Sequence, residues 1–305
     1  MTTMIRIATR KSRLALWQSE HVAAGLRAAH PDLAIDLLPM STRGDEVLDR
    51  SLAEIGGKGL FLKELEKALL DRQADIAVHS LKDVPAESPP GLKLAAVLPR
   101  ANWADLWLSR DGRLPADLPP GSRVGTSSLR RQSQLLRLYP ELIVVPIRGN
   151  VETRLNLMTS GQVDAVILAA AGIERLELDP PHRHSLLPPD FLPAPGQGVV
   201  VIQCRNDDQA VQKKLASLHC QATSIQVAAE RAVVAALGGD CRMPLAALAR
   251  VENGQVFLHA RLASPDGREC LDAAVQGDSA SARDLGQQAA TSILDQGGMR
   301  LLSHL

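Results

Sequence analysis

Short apolar runs alternate with amphipathic helical stretches through the first two thirds of the chain. The runs that predict strands are Ile5–Thr9, Ala34–Met40, Asp75–Ser80, Lys93–Leu98, Arg123–Thr126, Leu142–Ile147, Ala165–Ala169 and Val199–Gln203. Between them, apolar residues recur at helical spacing, most clearly over Leu14–His30 and Gly59–Arg72. This alternation predicts α/β lobes built on mainly parallel sheets.

Two interruptions divide the pattern. One lies near residues 99–104, and the other is the proline-dense stretch 180–197, after which a strand resumes. We therefore predict a discontinuous first lobe (1–98 and 199–217), a second lobe (104–193) and a C-terminal domain (221–305). Two lobes joined by two crossings are expected to bind a ligand in the cleft between them.

The last third of the chain has a different pattern. A helix is predicted over Thr223–Leu237, a hairpin turns at Asn253-Gly254, and a final helix covers about 281–296. We expect a small α+β domain on an antiparallel sheet.

Composition narrows the classes of function. The 34 basic and 34 acidic residues cancel, and aromatic residues make up only 2% of the chain, so neither a polyanionic partner nor base stacking is indicated. No apolar run could span a bilayer, and the N-terminus does not resemble a signal peptide. The four cysteines form no C-x-x-C pair, so a zinc site is not indicated. We expect a cytoplasmic protein with no nucleic-acid, membrane or metal partner.

Three strand-to-helix loops carry cations and hydroxyls at a helix N-terminus, where backbone N–H groups favour anions. They are "RIATRKSRLALWQ", "VGTSSLRRQSQLL" and "PIRGNVETRLNLM". Surface arginines on a solvated helix are the simpler alternative for any one of them. Together they predict a ligand with several carboxylates or phosphates, since arginine pairs bidentately with planar anions.

Two further segments carry candidate chemistry. In "ADIAVHSLKDVP" an apolar strand ends in His79, Ser80, Lys82 and Asp83, which is either a functional strand end or a solvated turn. "GGKGLFLKELE" is glycine-rich but lacks P-loop spacing, so a lid is the better interpretation.

Cys241 follows a Gly-Gly pair in "LGGDCRMPLA". A nucleophile, a metal ligand, half of a disulfide, a covalent anchor and a small buried side chain are all candidates. The preceding helix C-terminus and Asp240 oppose a thiolate, while Arg242 favours it, so an activated nucleophile is disfavoured.

These segments, with "STRGDEVLD", "IRGNVETRL" and "LPAPGQG", closely resemble the porphobilinogen deaminase (hydroxymethylbilane synthase) family in order and spacing over nearly the whole chain. The resemblance implies two lobes similar to periplasmic binding proteins, a third small domain and a monomer. It also implies a transferase of heme and tetrapyrrole biosynthesis. Such an enzyme joins four porphobilinogen molecules, releasing ammonia each time, and frees hydroxymethylbilane by hydrolysis.

The resemblance further implies a dipyrromethane cofactor, attached to Cys241 by a thioether. Asp83 matches the catalytic aspartate, which would stabilise the cationic intermediate and could transfer protons. The residues that match cofactor ligands are Lys82, Asp83, Thr126, Ser127, Ser128, Arg130, Arg131, Arg148 and Arg154. Those that match substrate ligands are Arg10, Ser12, Arg148, Arg154, Arg175 and Gln197, and Lys58 matches the lid.

The chain departs from the family pattern at Arg13, at Glu54, over residues 99–108 and in "GGDC". These positions concern the lid, the hinge and the cofactor loop. Two other functions fit part of the pattern: a non-catalytic two-lobed protein that binds a carboxylated molecule, and an acyl or amidino transferase with Cys241 as nucleophile. Neither predicts a covalently bound pyrrole.

Overall fold

Three β-sheets with packed helices make up the described part of the chain. The computed structural model describes residues 4–42, 62–239 and 243–303. The strands are β1 Met4–Arg10, β2 Ala34–Met40, β3 Ile76–Ser80, β4 Leu92–Val97, β5 Asp105–Ser109, β6 Arg123–Gly125, β7 Ile143–Val145, β8 Ala165–Ala169, β9 Arg183–Leu186, β10 Val200–Arg205, β11 Leu245–Glu252, β12 Gln255–Ala263 and β13 Cys270–Asp278. The α-helices are α1 Arg13–Ala29, α2 Lys63–Leu70, α3 Leu129–Leu138, α4 Val151–Thr159, α5 Ala170–Arg175, α6 Gln209–Leu215, α7 Gln221–Ala236, α8 Ala282–Ile293 and α9 Met299–Leu302.

The chain divides into two compact units. The first comprises Met1–Ala101 and Val199–Ser224, and the second comprises Asn102–Gly198 and Ile225–Leu305. The second unit therefore holds the predicted second lobe together with most of the predicted C-terminal domain.

The first unit is a five-stranded sheet in the order β2-β1-β3-β10-β4. Alternate residues of β1 face opposite sides, as the two-residue period of a strand requires. Ile5 and Ile7 join the core that α1 and α6 cover, whereas Ala8 packs with Leu65 and Leu69 of α2. Helices thus cover both faces of the sheet.

The second unit contains a similar sheet in the order β7-β6-β8-β5-β9. Trp107, fully buried, packs with Leu135 of α3 on one face, and Leu108 packs with Met158 of α4 on the other. The remaining sheet, β11-β12-β13, is antiparallel throughout and packs on α7 and α8. The predicted fold class, two α/β lobes and a small domain on an antiparallel sheet, is confirmed.

The two large sheets are mainly parallel, as predicted, because four of the five strands in each run in one direction and one strand runs against them. In the first, β1 runs parallel to β2 and β3, but β10 runs antiparallel to β3 and β4. In the second, β6 runs parallel to β7 and β8, but β5 runs antiparallel to β8 and β9. The antiparallel strands β5 and β10 each follow one of the two interruptions in the sequence pattern, where the chain enters a sheet from the opposite end.

Candidate active site

The first unit carries polar side chains where β1 and β3 end. These strands are parallel neighbours, so their carboxyl ends lie at the same edge of the sheet. Arg10 is the last residue of β1, and Ser12 caps α1 by accepting a hydrogen bond from the Ala15 N–H at 3.4 Å. Beyond β3, a 3-10 turn over Leu81–Asp83 buries Leu81 and leaves Asp83 exposed.

A pocket of about 80 Å³ opens at this edge of the sheet. It is lined by Arg10, Ser12, Leu14, Ala15, Gln18, Leu62, Val78, His79, Ser80 and Asp83. The predicted residues Arg10, Ser12 and Asp83 are therefore brought together by the structure. Lys82, in the same 3-10 turn, is half-buried and does not line this pocket.

His79 is the buried titratable group of the pocket. Its Nε2 lies 3.0 Å from Oε1 of Gln203, and the amide of Gln203 donates to Glu66 Oε1 at 3.1 Å. Burial lowers the pKa of His79 to about 4, against smaller opposing effects of Gln203 and Asp83. The imidazole is therefore uncharged at neutral pH.

In the second unit, the ends of β6 and β7 form two adjacent loops, each leading into a helix. The Thr126 N–H donates to the Val145 carbonyl at 3.0 Å, and the Ser127 hydroxyl donates to the Ile147 carbonyl at 2.6 Å. Ser128 caps α3 and Asn150 caps α4. Two helix N-termini therefore open at the same sheet edge, which favours anionic groups.

Arg148 and Arg154 belong to the second of these loops and its helix, and both are half-buried. The Nε of Arg154 donates to the Gly149 carbonyl at 3.0 Å, and Gly149 has a positive φ of 97° that glycine adopts readily. This bond holds the guanidinium of Arg154 beside the N-terminus of α4.

Arg130 and Arg131 are almost completely buried against Asp105, a residue that no sequence motif marks as functional. Arg130 Nη1 lies 2.7 Å from Asp105 Oδ2, and Arg131 Nη2 lies 2.7 Å from Asp105 Oδ1. Burial opposes the charge of Asp105, but the two arginines outweigh it and lower the pKa of its carboxyl, so it stays ionised. Two positive charges and one negative charge leave this cluster with a net charge of +1.

Gln197 and Arg175 hold the segment 196–198 inside the second unit. Gln197 donates from Nε2 to the Trp103 carbonyl at 2.7 Å and to Asp105 Oδ1 at 3.0 Å. Arg175 donates to the Gly198 carbonyl at 2.8 Å, and burial lowers its pKa. The structure thus gives structural partners to both of these predicted substrate ligands.

Lys58 and Cys241, together with Glu54 and with Asp240 of the "GGDC" segment, lie outside the described residues. Within the described ranges, no cluster of three or more histidine, cysteine or acidic residues could hold a metal ion. The same ranges contain no helix with the length and hydrophobicity needed to cross a bilayer.

Two family models match the chain. Residues 5–213 match "Porphobilinogen deaminase, dipyromethane cofactor binding domain", and residues 224–295 match "Porphobilinogen deaminase, C-terminal domain". The porphobilinogen deaminase of Xanthomonas oryzae pv. oryzae is 51% identical over 303 residues, covering 99% of this chain and all of the relative. That of Bordetella parapertussis is 50% identical over 301 residues, covering 99% and 96%.

Two solved structures align with part of the chain at low sequence identity. The methionine binding protein MetQ aligns with a TM-score of 0.46 and 12% identity, covering 72% of this chain and 92% of that one. The periplasmic VFT2 domain of Bordetella pertussis BvgS aligns with a TM-score of 0.45 and 16% identity, covering 71% and 87%.

Proposed function

The chain belongs to the porphobilinogen deaminase family, a transferase of tetrapyrrole biosynthesis with a dipyrromethane cofactor, and we propose which of its residues carry the reaction. The observation that carries the proposal is the pocket of the first unit, where the exposed carboxylate of Asp83 meets Arg10 and Ser12. Porphobilinogen brings a basic aminomethyl group and a pyrrole N–H, together with an acetate and a propionate. The carboxylate of Asp83 can accept hydrogen bonds from the aminomethyl group and the pyrrole N–H. The guanidinium of Arg10 can pair with the acetate or the propionate.

Asp83 is the proposed catalytic residue. When porphobilinogen loses ammonia, positive charge develops over the pyrrole and its exocyclic carbon. A carboxylate that accepts the pyrrole N–H stabilises this charge as it forms, and such preorganised electrostatic stabilisation is a large part of many rate enhancements. The same carboxylate can accept and return protons.

Arg10 and Ser12 are proposed to orient the substrate carboxylates in this pocket. Arg10 is half-buried and is the last residue of β1, so the strand fixes its backbone at this edge of the sheet. Its guanidinium can pair bidentately with a planar carboxylate. Lys82, next to Asp83, supplies a further positive charge to the same strand end.

The residues of the second unit fit the carboxylate-rich cofactor. Two helix N-termini open beside Arg148 and Arg154, and the Nε of Arg130 is buried with no hydrogen-bond partner among the described residues. We propose that the cofactor ligands there are Thr126, Ser127, Ser128, Arg130, Arg131, Arg148 and Arg154. Through its Asp105 pairing, Arg131 also fixes the position of α3. When bound, the cofactor supplies the pyrrole carbon to which the first substrate unit is joined.

The remaining assignments rest on the family. Cys241 is proposed as the covalent attachment point, Lys58 as a lid residue, and Arg175 and Gln197 as ligands of the substrate. We also propose a monomer located in the cytoplasm. After four additions, hydrolysis would release hydroxymethylbilane.

Replacement of Asp83 tests the catalytic assignment. We expect Asp83→Ala to lower turnover by about 10²- to 10⁴-fold, measured as ammonia release from porphobilinogen, because the developing charge loses its carboxylate. Thermal unfolding should not change, since the side chain is exposed. Glu87→Ala removes an exposed carboxylate four residues away and should leave turnover intact. Near-normal turnover in Asp83→Ala would remove this residue from the mechanism.

A further inference from the structure

His79 lies in the Asp83 pocket but has no role in the chemistry described above. It is the fourth residue of β3, 7% exposed, and it lines the pocket with Asp83 and Arg10. Its hydrogen-bond partner is Gln203, a fully buried residue of the adjacent strand β10. A buried imidazole beside a reacting carboxylate affects it strongly, because its charge state decides whether the two groups form an ion pair.

The hydrogen bonds of Gln203 determine which nitrogen of His79 carries the proton. Glu66 on α2 is a carboxylate and can only accept when ionised, so the amide nitrogen of Gln203 must face it at 3.1 Å. The amide oxygen of Gln203 then faces His79, and Nε2 of the imidazole must donate to it at 3.0 Å. In the neutral ring this leaves Nδ1 as the acceptor nitrogen.

We propose that His79 is a positioning residue for Asp83, and that the Glu66–Gln203 pair holds it as an uncharged imidazole with its proton on Nε2. An uncharged ring contributes to the wall of the pocket without forming an ion pair with Asp83. The carboxylate of Asp83 then remains available to stabilise the positive charge that develops on the substrate. This inference rests on the catalytic role proposed for Asp83.

The charged groups around the imidazole are consistent with this role. Asp83, in the turn after β3, favours a proton on the ring, whereas Arg10 at the end of β1 opposes one. Glu66 on α2 is linked to the ring through the neutral amide of Gln203. An amide in this position donates and accepts without adding charge, so burial of the ring prevails and keeps the pKa near 4.

The tautomer can be observed directly. In the cofactor-loaded full chain with ¹⁵N-labelled histidine, the signal of His79 is assigned by its loss in His79→Asn. We expect a neutral ring with the proton on Nε2, unchanged between about pH 5.5 and 8.5. A proton on Nδ1, or a titration near the ordinary histidine pKa, would overturn the proposal whatever the role of Asp83.

The functional effect is tested by exchanging the two partners. The double variant Glu66→Gln with Gln203→Glu keeps the net charge and permits both hydrogen bonds, but it places a carboxylate directly on Nε2. His79 should then be protonated at neutral pH and pair with Asp83. We expect kcat to fall by about tenfold or more at pH 7 and to recover as pH rises and the ring loses its proton.

The variant Glu20→Gln, which removes an exposed carboxylate of α1 outside this pair, is the control and should preserve both the neutral imidazole and kcat. If the double variant carries a charged ring yet keeps the kcat and pH profile of the parent enzyme, the positioning role is wrong. If His79 stays neutral in the double variant, the Glu66–Gln203 pair does not determine the charge state of the imidazole, and that part of the proposal is wrong. Normal turnover in Asp83→Ala would instead refute the catalytic assignment and leave the tautomer result standing.

Discussion

At the scale of single residues, Asp105 shows how one buried carboxylate organises several groups that the sequence separates widely. Its two oxygens accept from Arg130, Arg131 and Gln197, and it is 2% exposed. A buried charge is tolerated only when it is paired and hydrogen-bonded. Asp105 is therefore the anchor of the predicted cofactor arginines on α3.

Asp105→Asn should destabilise the second unit strongly, because two guanidiniums would remain buried without a balancing negative charge. We expect a loss of about 3–5 kcal/mol in the free energy of unfolding, measured with urea. Asp117→Asn changes an exposed carboxylate of the same unit and should have little effect. A loss below about 1 kcal/mol in Asp105→Asn would show that the cluster does not depend on this charge.

The buried His79 should make stability depend on pH. Its pKa is lowered to about 4 in the folded chain, against 6.5 for an unperturbed histidine, so the unfolded state binds more protons between these values. Stability therefore falls as pH drops from about 6.5 to about 4, by up to about 3 kcal/mol.

In His79→Asn this contribution should disappear, and the pH dependence of unfolding should become shallower over that interval. Denaturant unfolding at several pH values measures the difference. His30→Asn, which replaces a half-buried histidine at the end of α1, is the comparison and should preserve the slope. Parallel curves for the parent chain and His79→Asn would contradict a neutral buried imidazole.

At the scale of elements, a helix-capping side chain occurs next to arginines at three strand ends. Ser12, Ser128 and Asn150 cap the helices α1, α3 and α4, and each accepts a backbone N–H of the first turn. The sequence pattern predicted these loops as anion sites but did not identify Asn150 as the cap of α4. Capping side chains and arginines thus meet at each helix N-terminus.

Removing a cap should destabilise its helix. Asn150→Ala is expected to cost about 1 kcal/mol of unfolding free energy, because the Thr153 N–H loses its partner at 2.8 Å. Asn156→Ala, at an exposed position in the middle of the same helix, should be neutral or slightly stabilising. Equal effects of the two substitutions would show that the side chain of Asn150 contributes nothing as a cap.

The sequence predicted most of the strands but missed β5 and β9. Arg183–Leu186 of β9 is largely exposed and pairs only with β5 at the sheet edge, so it lacks the alternation that marks a half-buried strand. Asp105–Ser109 of β5 is fully buried, but it directly follows the first interruption of the pattern, where no strand was predicted. The reversed direction of β5 and β10 was also beyond the pattern, because their pairing partners come from distant parts of the chain.

At the scale of the whole molecule, charge is balanced overall but not locally. The chain has equal numbers of acidic and basic residues, while the Asp105 cluster holds a net positive charge in the interior of the second unit. The motifs predicted Arg10, Ser12 and Asp83 as site residues. These residues share a pocket because they lie at the ends of β1 and β3, which are neighbouring strands. The partners Asp105, Gln203 and Glu66 were not predicted. Only the fold brings Asp105 to Arg130 and Arg131, and brings Gln203, with Glu66 bonded to it, to His79.

The most direct test of a covalently held cofactor is the intact mass of the purified, active full chain against the 32.7 kDa of the polypeptide. We expect a mass increase equal to two linked pyrrole units, a positive reaction with Ehrlich's aldehyde reagent after denaturation, and the loss of both in Cys241→Ser. Cys220→Ser, which changes a cysteine outside the "GGDC" segment, should keep the added mass. An active enzyme with the mass of the bare polypeptide, or a Cys241→Ser variant that retains the increase, would contradict the assignment.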